Sequence, residues 1–411
     1  MKIAGLLIMF FAVCTACYAF PMDSTVVCEP NADGAGNSLW IMSHTQLEAP
    51  YLDGTPDSYL PWGKSTDEFL VGDVQGDGFD DVVFVHEGES SGWCEWAAAH
   101  TADSNGGVGV LSSTKFSGAN CGEWYNKAAL FLKDVNGDGR KDIVYVGLFG
   151  TFPGTFGWFA GHSDANGVSF ATGSFAAFGG PYYHCFFPLM GDFNGDKRAD
   201  MCVIYQLQPT DDYLWIVGPS NAGGLWQSAN YIYSPFGIAG DIPLVGDIDG
   251  DGRDDRIVIR DGGNGNASWI VAYSDPNGQI DSTRPYGYGA VGLVTDELLL
   301  ADINGDGKKD IGIFRDGYWA FGFTSETGAP AITFDVQQVY GQAGDIPLVG
   351  QFDILAADLN NDKCVTFKDF ALLAGSWLQT GSGLSGDLDF NNTVDFTDLR
   401  YFVNQWLLCS H

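Results

Sequence analysis

Carboxylate and amide side chains recur in this 411-residue chain at alternate positions of short loops, a pattern suited to holding a hard cation through oxygen. Five loops read DVQGDGFDD, DVNGDGRKD, DFNGDKRAD, DIDGDGRDD and DINGDGKKD. Oxygen donors stand at positions 1, 3, 5 and 9: Asp73, Gln75, Asp77 and Asp81; Asp134, Asn136, Asp138 and Asp142; Asp192, Asn194, Asp196 and Asp200; Asp247, Asp249, Asp251 and Asp255; Asp302, Asn304, Asp306 and Asp310. The backbone carbonyl of position 7, from Phe79, Arg140, Arg198, Arg253 and Lys308, completes each set. Ca²⁺ takes six to eight such oxygens in flexible geometry, so each loop is expected to bind one calcium ion. Glycine at positions 4 and 6 permits the tight turn, with Lys197 replacing it in the third loop.

Strands must hold these loops in place. The loops start 61, 58, 55 and 55 residues apart, and each is followed by a β-branched run such as Val82-Val83 rather than by a helix. A Trp in an apolar stretch recurs as well, at Trp40, Trp93, Trp158, Trp215, Trp269 and Trp319. A sixth start, GDIPLVGQFD, has Gln351 in place of the first Asp and breaks off after Asp353. The chain opens inside one unit, at Thr25 to Cys28, and the repeats end on the first strand of another, Pro347 to Phe352. Two partial ends that sum to one unit are how a ring of blades closes. The expected fold is mainly β: a six-bladed β-propeller over residues 20–353, closed by both termini. An open solenoid of the same repeats leaves the complementary ends unexplained.

Residues 354–411 carry a different period. An acidic loop from Asp358 to Asp369 is followed by Phe370, Leu373, Trp377 and Leu378 at helical spacing, and the pattern returns 29 residues later at Asp387 to Asp398. A small all-α calcium-binding domain is expected there, too small for comfort without metal or a disulfide.

With 52 acidic against 19 basic residues, the net charge of −33 excludes nucleic acid and anionic membrane surfaces as partners. The seven loops hold 23 of those acidic residues at ligand spacing, which a merely solvated surface would not do. Residues 1–19 read as a secretory signal: Lys2, an apolar run from Ile3 to Val13, and Cys17-Tyr18-Ala19 before the cut. The expectation is a secreted protein with no transmembrane segment. Export makes the seven remaining cysteines candidates for disulfides, Cys364 with Cys409 and Cys94 with Cys121.

Loop, following strand and Trp recur together, and GDIPLVGDIDGDGRDDRIVIR shows them best. Over about residues 24–353 the chain resembles the FG-GAP/VCBS repeats of integrin-like β-propellers. The resemblance implies a calcium-stabilised extracellular propeller used for adhesion or carbohydrate binding; some relatives of that kind are polysaccharide lyases. The last 58 residues resemble a type I dockerin, which binds two calcium ions and docks onto a cohesin-like partner. By that resemblance Asp358, Asn360, Asp362, Cys364 (through its carbonyl), Thr366 and Asp369 hold one ion, and Asp387, Asp389, Asn391, Thr393 (through its carbonyl), Asp395 and Asp398 the other. Positions 10 and 11 depart from that family's Ser/Thr pairs, being Phe367-Lys368 and Phe396-Thr397.

The chain has no GxSxG, HExxH or P-loop, and no Cys-His pairing at zinc spacing. His44 and His162 lie four residues past a repeat Trp, where Tyr273 and Phe323 stand in other units, so the four could ring one surface; packing between blades accounts for them equally well. Trp96 and the run Tyr182, Tyr183, His184 are candidates for stacking on a sugar face, with strand packing as the alternative. A lyase would need cations beside a base; Arg260, Arg315 and His86 sit at matching ends of second strands, but no carboxylate pair or Tyr base accompanies them. The leading expectation is therefore a calcium-stabilised binder of glycan or a cell-surface protein, with a lyase or a purely structural surface protein as alternatives.

Overall fold

The computed structural model describes residues 24–29, 37–43, 58–64, 68–76, 80–87, 94–99, 127–149, 155–163, 173–179, 185–207, 210–225, 230–339, 341–350 and 365–380, with residues 359, 386, 393–396, 399 and 402–403. The N-terminal signal, Asp77, Phe79, His44, Tyr182, Tyr183, His184, Asp358, Asn360, Asp362, Cys364, Asp387, Asp389, Asn391 and Asp398 lie outside the described residues, as do Cys121 and Cys409.

Strands β1 (Ser24–Glu29), β2 (Asn37–Ser43) and β3 (Ser58–Lys64) open the chain. A three-stranded sheet follows: β4 (Glu68–Gly72), β5 (Asp81–Glu87) and β6 (Cys94–Ala99). Next come β7 (Lys127–Lys133), β8 (Asp142–Phe149), β9 (Thr155–Gly161) and β10 (Gly173–Ala177), then β11 (Cys185–Gly191), β12 (Asp200–Leu207), β13 (Asp212–Gly218) and β14 (Ile232–Ile238). Two further sheets are β15 (Ile242–Gly246), β16 (Asp255–Asp261), β17 (Ala267–Ala272) and β18 (Gly287–Gly289), and β19 (Glu297–Ala301), β20 (Asp310–Arg315), β21 (Tyr318–Gly322) and β22 (Val336–Val339). Strand β23 (Ile346–Gly350) returns to pair antiparallel with β1, with Thr25 opposite Val349. The first strands face one another: β4 neighbours β7, β7 neighbours β11, β11 neighbours β15, and β23 touches both β19 and β4.

The expected six-bladed form with an all-α tail is corrected on both counts. Four sheets are complete propeller blades in which four consecutive strands run in order, from β7 to β10, β11 to β14, β15 to β18 and β19 to β22. The unit beginning at Asp73 shows three strands among the described residues, and the remaining sheet, in the order β23-β1-β2-β3, is assembled from distant parts of the chain. Only the units from Asp134 to Val339 keep loop, Trp and fourth strand contiguous in sequence. In the tail, the single helical element among the described residues is α1 (Phe367–Gly375), so no all-α dockerin-like domain is present there. Instead Val394 exchanges backbone hydrogen bonds with the stretch after the helix, its N–H donating to Gln379 O at 3.1 Å and its O accepting from Leu378 at 2.8 Å. Val365, Phe370, Leu373, Val394 and Phe402 form that segment's own small core.

Second strands such as Asp200–Leu207 and Asp255–Asp261 are buried on both faces through most of their length, which is why they read as unbroken apolar runs. Third strands carry the repeat Trp, and Trp158, Trp215, Trp269 and Trp319 are each 0% exposed between sheets. Indole N–H groups anchor the fourth-strand side of the blade: Trp158 donates to Phe178 O at 2.9 Å, Trp215 to Phe236 O at 2.8 Å and Trp269 to Val291 O at 2.9 Å. A buried carbonyl that loses its donor costs about 1–3 kcal/mol. We therefore expect Trp269→Phe to lower the melting temperature by several degrees in a thermal scan, and an unchanged transition would show that the hydrogen bond contributes nothing.

The register also reassigns one Trp. Trp158, Trp215, Trp269 and Trp319 stand opposite Val146, Ile204, Ile259 and Phe314, each four residues past the position-9 Asp. In the first unit the residue at that place, Val85, pairs with Trp96. Trp96 thus occupies the core place expected for Trp93, which argues against the sugar-stacking role considered for it.

Candidate metal-binding loops

Each loop joins the first strand of a sheet to the second, so the strand pairing fixes its two ends. Position 1 is the residue after the first strand, and position 9 opens the second. Carboxylates organise the loop from within. The position-1 Asp accepts the N–H of position 4, at 2.6 Å for Gly76 on Asp73, 2.6 Å for Gly137 on Asp134, 2.7 Å for Gly195 on Asp192 and 2.8 Å for Gly250 on Asp247. Its other oxygen accepts the N–H of position 6, as from Gly252 on Asp247 at 2.8 Å and Gly307 on Asp302 at 2.8 Å. Position 6 lies at positive φ, so Lys197 there, at φ 66°, occupies a conformation that costs an L-residue roughly 1–2 kcal/mol.

The position-9 Asp is the most buried member. Asp81, Asp142, Asp200, Asp255 and Asp310 are each 0% exposed. One oxygen accepts the position-2 N–H, from Val135 on Asp142 at 3.2 Å and from Ile248 on Asp255 at 3.1 Å. The other accepts a backbone N–H from the end of the third strand: Ser163 on Asp142 at 2.9 Å, Ser220 on Asp200 at 2.8 Å, Ser274 on Asp255 at 2.9 Å and Thr324 on Asp310 at 2.7 Å. Those four hydroxyls donate onward to the position-8 carbonyl, from Ser220 to Ala199 O at 2.7 Å and Ser274 to Asp254 O at 2.7 Å, for example. Sequence reasoning missed this clamp, although its signal is plain: a Ser or Thr five residues past each of these Trp residues.

Burial and neighbouring carboxylates act in the same direction on these groups. Burial, reinforced by Asp138 and Asp134, raises Asp142 to about 7 even though two backbone N–H groups oppose it. Asp255 rises to about 8 by burial, with Asp249 and Asp247 adding to the shift, and Asp310 rises to about 7 by burial beside Asp306 and Asp302. Asp247, also buried, rises to about 6, and Asp200 is pushed well above the ordinary carboxylate range. At the fourth loop one oxygen each from Asp247, Asp249 and Asp255 lies within 4.8 Å of the others. Oxygens around a shared Ca²⁺ at about 2.3–2.6 Å stand at most about 5 Å apart, so the spacing fits.

Two features of position 7 were not legible from a rule that counts only its carbonyl. Its side chain pairs with the position-5 carboxylate, Arg140 with Asp138, Arg198 with Asp196 at 2.5 Å, Arg253 with Asp251, and Lys308 with Asp306 at 3.0 Å. Its aliphatic stem also lies over the position-4 glycine of the preceding loop. A Cβ on Gly137 would stand 3.1 Å from Arg198 Cγ, and one on Gly195 would stand 3.0 Å from Arg253 Cγ. Backbone bonds join the same neighbours: the position-8 N–H donates to the preceding position-1 carbonyl, Lys141 to Asp73 at 2.6 Å, Ala199 to Asp134 at 2.7 Å, Asp254 to Asp192 at 2.6 Å and Lys309 to Asp247 at 2.9 Å. The five loops are thereby linked in series.

Other candidates serve packing. His162 Nε2 is 3.2 Å from Ser174 Oγ and lies against Gly224, and burial lowers its pKa. Tyr273 is buried and donates to Gly328 O at 2.7 Å, with the Arg284 guanidinium 3.6 Å above its ring and paired to Asp249. Arg260 and Arg315 are held by two-point ion pairs, to Asp241 at 2.8 and 2.8 Å and to Asp296 at 2.5 and 2.6 Å. In the tail Asp369 is buried and accepts Thr366 N–H at 2.8 Å, capping α1, while Thr393 pairs with Thr380 and Asp395 accepts the Leu399 N–H on its backbone carbonyl at 3.2 Å.

Residues 134–203 and 192–258 match the FG-GAP-like repeat. The matches begin at position 1 of the second and third loops and end in the next second strand, so each covers one loop-to-loop unit. No curated protein matches the chain. The chain carries FG-GAP-like repeats arranged as a β-propeller, a fold consistent with a binding or structural surface protein.

Proposed function

We propose that this is an exported propeller whose five acidic loops each take a Ca²⁺ ion, and whose stapled rigid body presents a binding surface for glycan or a surface protein. The observation that carries the metal reading is the fourth loop, where three carboxylates meet within 4.8 Å around a fully buried Asp255. Like charges so close and so dry demand either protons or a cation. All-oxygen donors without His or Cys select a hard cation, and the irregular loop suits calcium better than octahedral Mg²⁺. No helix among the described residues is long and apolar enough to cross a membrane, which agrees with export.

A surface-binding role rests on the rigid scaffold and on exposed aromatics at outer strands, Tyr233 and Tyr288 being 54% and 63% exposed. The lyase alternative loses its cations, because Arg260 and Arg315 are already neutralised by Asp241 and Asp296. The full chain should carry about five calcium ions by elemental analysis after gel filtration, and should bind a defined sugar class on a polysaccharide array only with calcium present. Fewer than two bound ions would sink the metal reading. Turnover of a polysaccharide would replace the binding reading with an enzymatic one.

A further inference from the structure

The residue before position 1 ends the first strand and is small in four units, Gly72, Gly191, Gly246 and Ala301, whereas the second unit has Lys133. All five hold the same register place, opposite the position-9 Asp: Lys133 pairs with Asp142 as Gly72 does with Asp81 and Gly246 with Asp255. Position-8 side chains lie over these small residues from the next unit. A Cβ on Gly72 would stand 2.8 Å from Lys141 Cγ, one on Gly191 2.8 Å from Asp254 Oδ2, and one on Gly246 3.9 Å from Lys309 Cγ. Since first strands neighbour one another, these position-8 groups surround the axis at the loop end, and Lys133 enters the same space.

The charges that act on Lys133 come from four different sheets: Asp80, Lys141, Asp254 and Lys309. Only a side chain near the axis meets all four. Burial lowers the Lys133 pKa, with Lys141 and Lys309 lowering it further against the pull of Asp254 and Asp80. Neither Lys133 nor Lys141 forms an ion pair among the described residues. We propose that the loop end of the propeller axis is an oxyanion site, in which Lys133, Lys141 and Lys309 converge on one carboxylate or sulfate group. In a chain of net charge −33 long-range forces repel anions, so such a site works through local convergence and specifies where an anionic group seats. The small residues around Lys133 leave the room that a bulkier ring would fill.

The test is calorimetric titration of the full chain in calcium buffer at fixed ionic strength, with sodium sulfate and sodium acetate as separate probes. One saturable site for at least one probe is expected, and preference between them separates a sulfate-type from a carboxylate-type ligand. Lys133→Gly installs the residue type of the neighbouring units and should weaken binding at least about tenfold, while Asp254→Asn, which keeps an oxygen for the Asp192 N–H at 2.8 Å, should tighten it several-fold. Melting scans of each variant separate misfolding from lost binding. No saturable binding by folded wild type, equal affinity in Lys133→Gly, or no tightening in Asp254→Asn would each overturn the site; the last decides alone if Lys133→Gly does not fold.

Discussion

Stripping calcium is expected to lower the melting temperature of the full chain by at least about ten degrees. A ligand that binds only the native state at a hundred times its Kd contributes about 2.7 kcal/mol per site, and each kcal/mol moves a domain of this class by about 2–4 °C. Five sites acting together exceed that bound even if several are weak. The linkage between loops makes the loss spread. The position-8 N–H that donates to Asp192 O at 2.6 Å belongs to the same peptide unit as the position-7 carbonyl of Arg253, which would face the next ion. An ion that fixes this peptide therefore also fixes the preceding loop.

A single substitution separates the metal from the hydrogen bonds. Asp255→Asn keeps the side-chain shape but imitates the protonated acid, the state favoured in the metal-free protein by a pKa of about 8. It should lower the melting temperature by several degrees in calcium and leave it almost unchanged, or raised, in stripped protein. Equal losses in both conditions would show that Asp255 acts through the Ser274 and Ile248 N–H groups alone. Melting that ignores chelator altogether would remove calcium from the account.

The loops were legible because their chemistry is local: ligand spacing, glycine at positive φ and a following β-branched strand all lie within about fifteen residues. The clamp by Ser163, Ser220, Ser274 and Thr324 was harder, since it joins residues 20 or 21 apart in three units and 14 apart in the fourth, across a third strand of variable length. Trp96 was misjudged for a similar reason. Counting Trp residues placed Trp93 in the series, but strand register, not spacing, decides which of two nearby Trp side chains faces the core. The tail misled more deeply. Helical spacing after an acidic loop is what α1 obeys, and its core is real, yet a periodic pattern cannot state how much of a 58-residue segment becomes helix without its ions. The three lysines of the axis were invisible as a group, because they belong to two different repeat positions and meet only when the first strands close on one another.

Acid should move the two forms of the protein in opposite directions. In stripped protein the folded-state pKa values of Asp142, Asp255 and Asp310, about 7, 8 and 7, stand above the 3.8 of an ordinary carboxyl. A raised folded pKa means that the native state holds the extra protons, so the stability it confers is complete below about 4 and is lost as pH climbs through about 6 to 8. The stripped melting temperature should therefore rise as pH falls from 8 to 5. Calcium-loaded protein should do the reverse, because its ligands must be ionised and protons displace the metal. Mutual repulsion in a chain of net charge −33 would also favour acid, but 0.5 M salt screens that surface term while leaving buried carboxylates largely unscreened. Scans at that salt in stripped and calcium-loaded samples should give slopes of opposite sign that converge near pH 5. Slopes of the same sign would mean that the buried aspartates are not the shared seat of proton and metal, and that the loops hold their shape by hydrogen bonds alone.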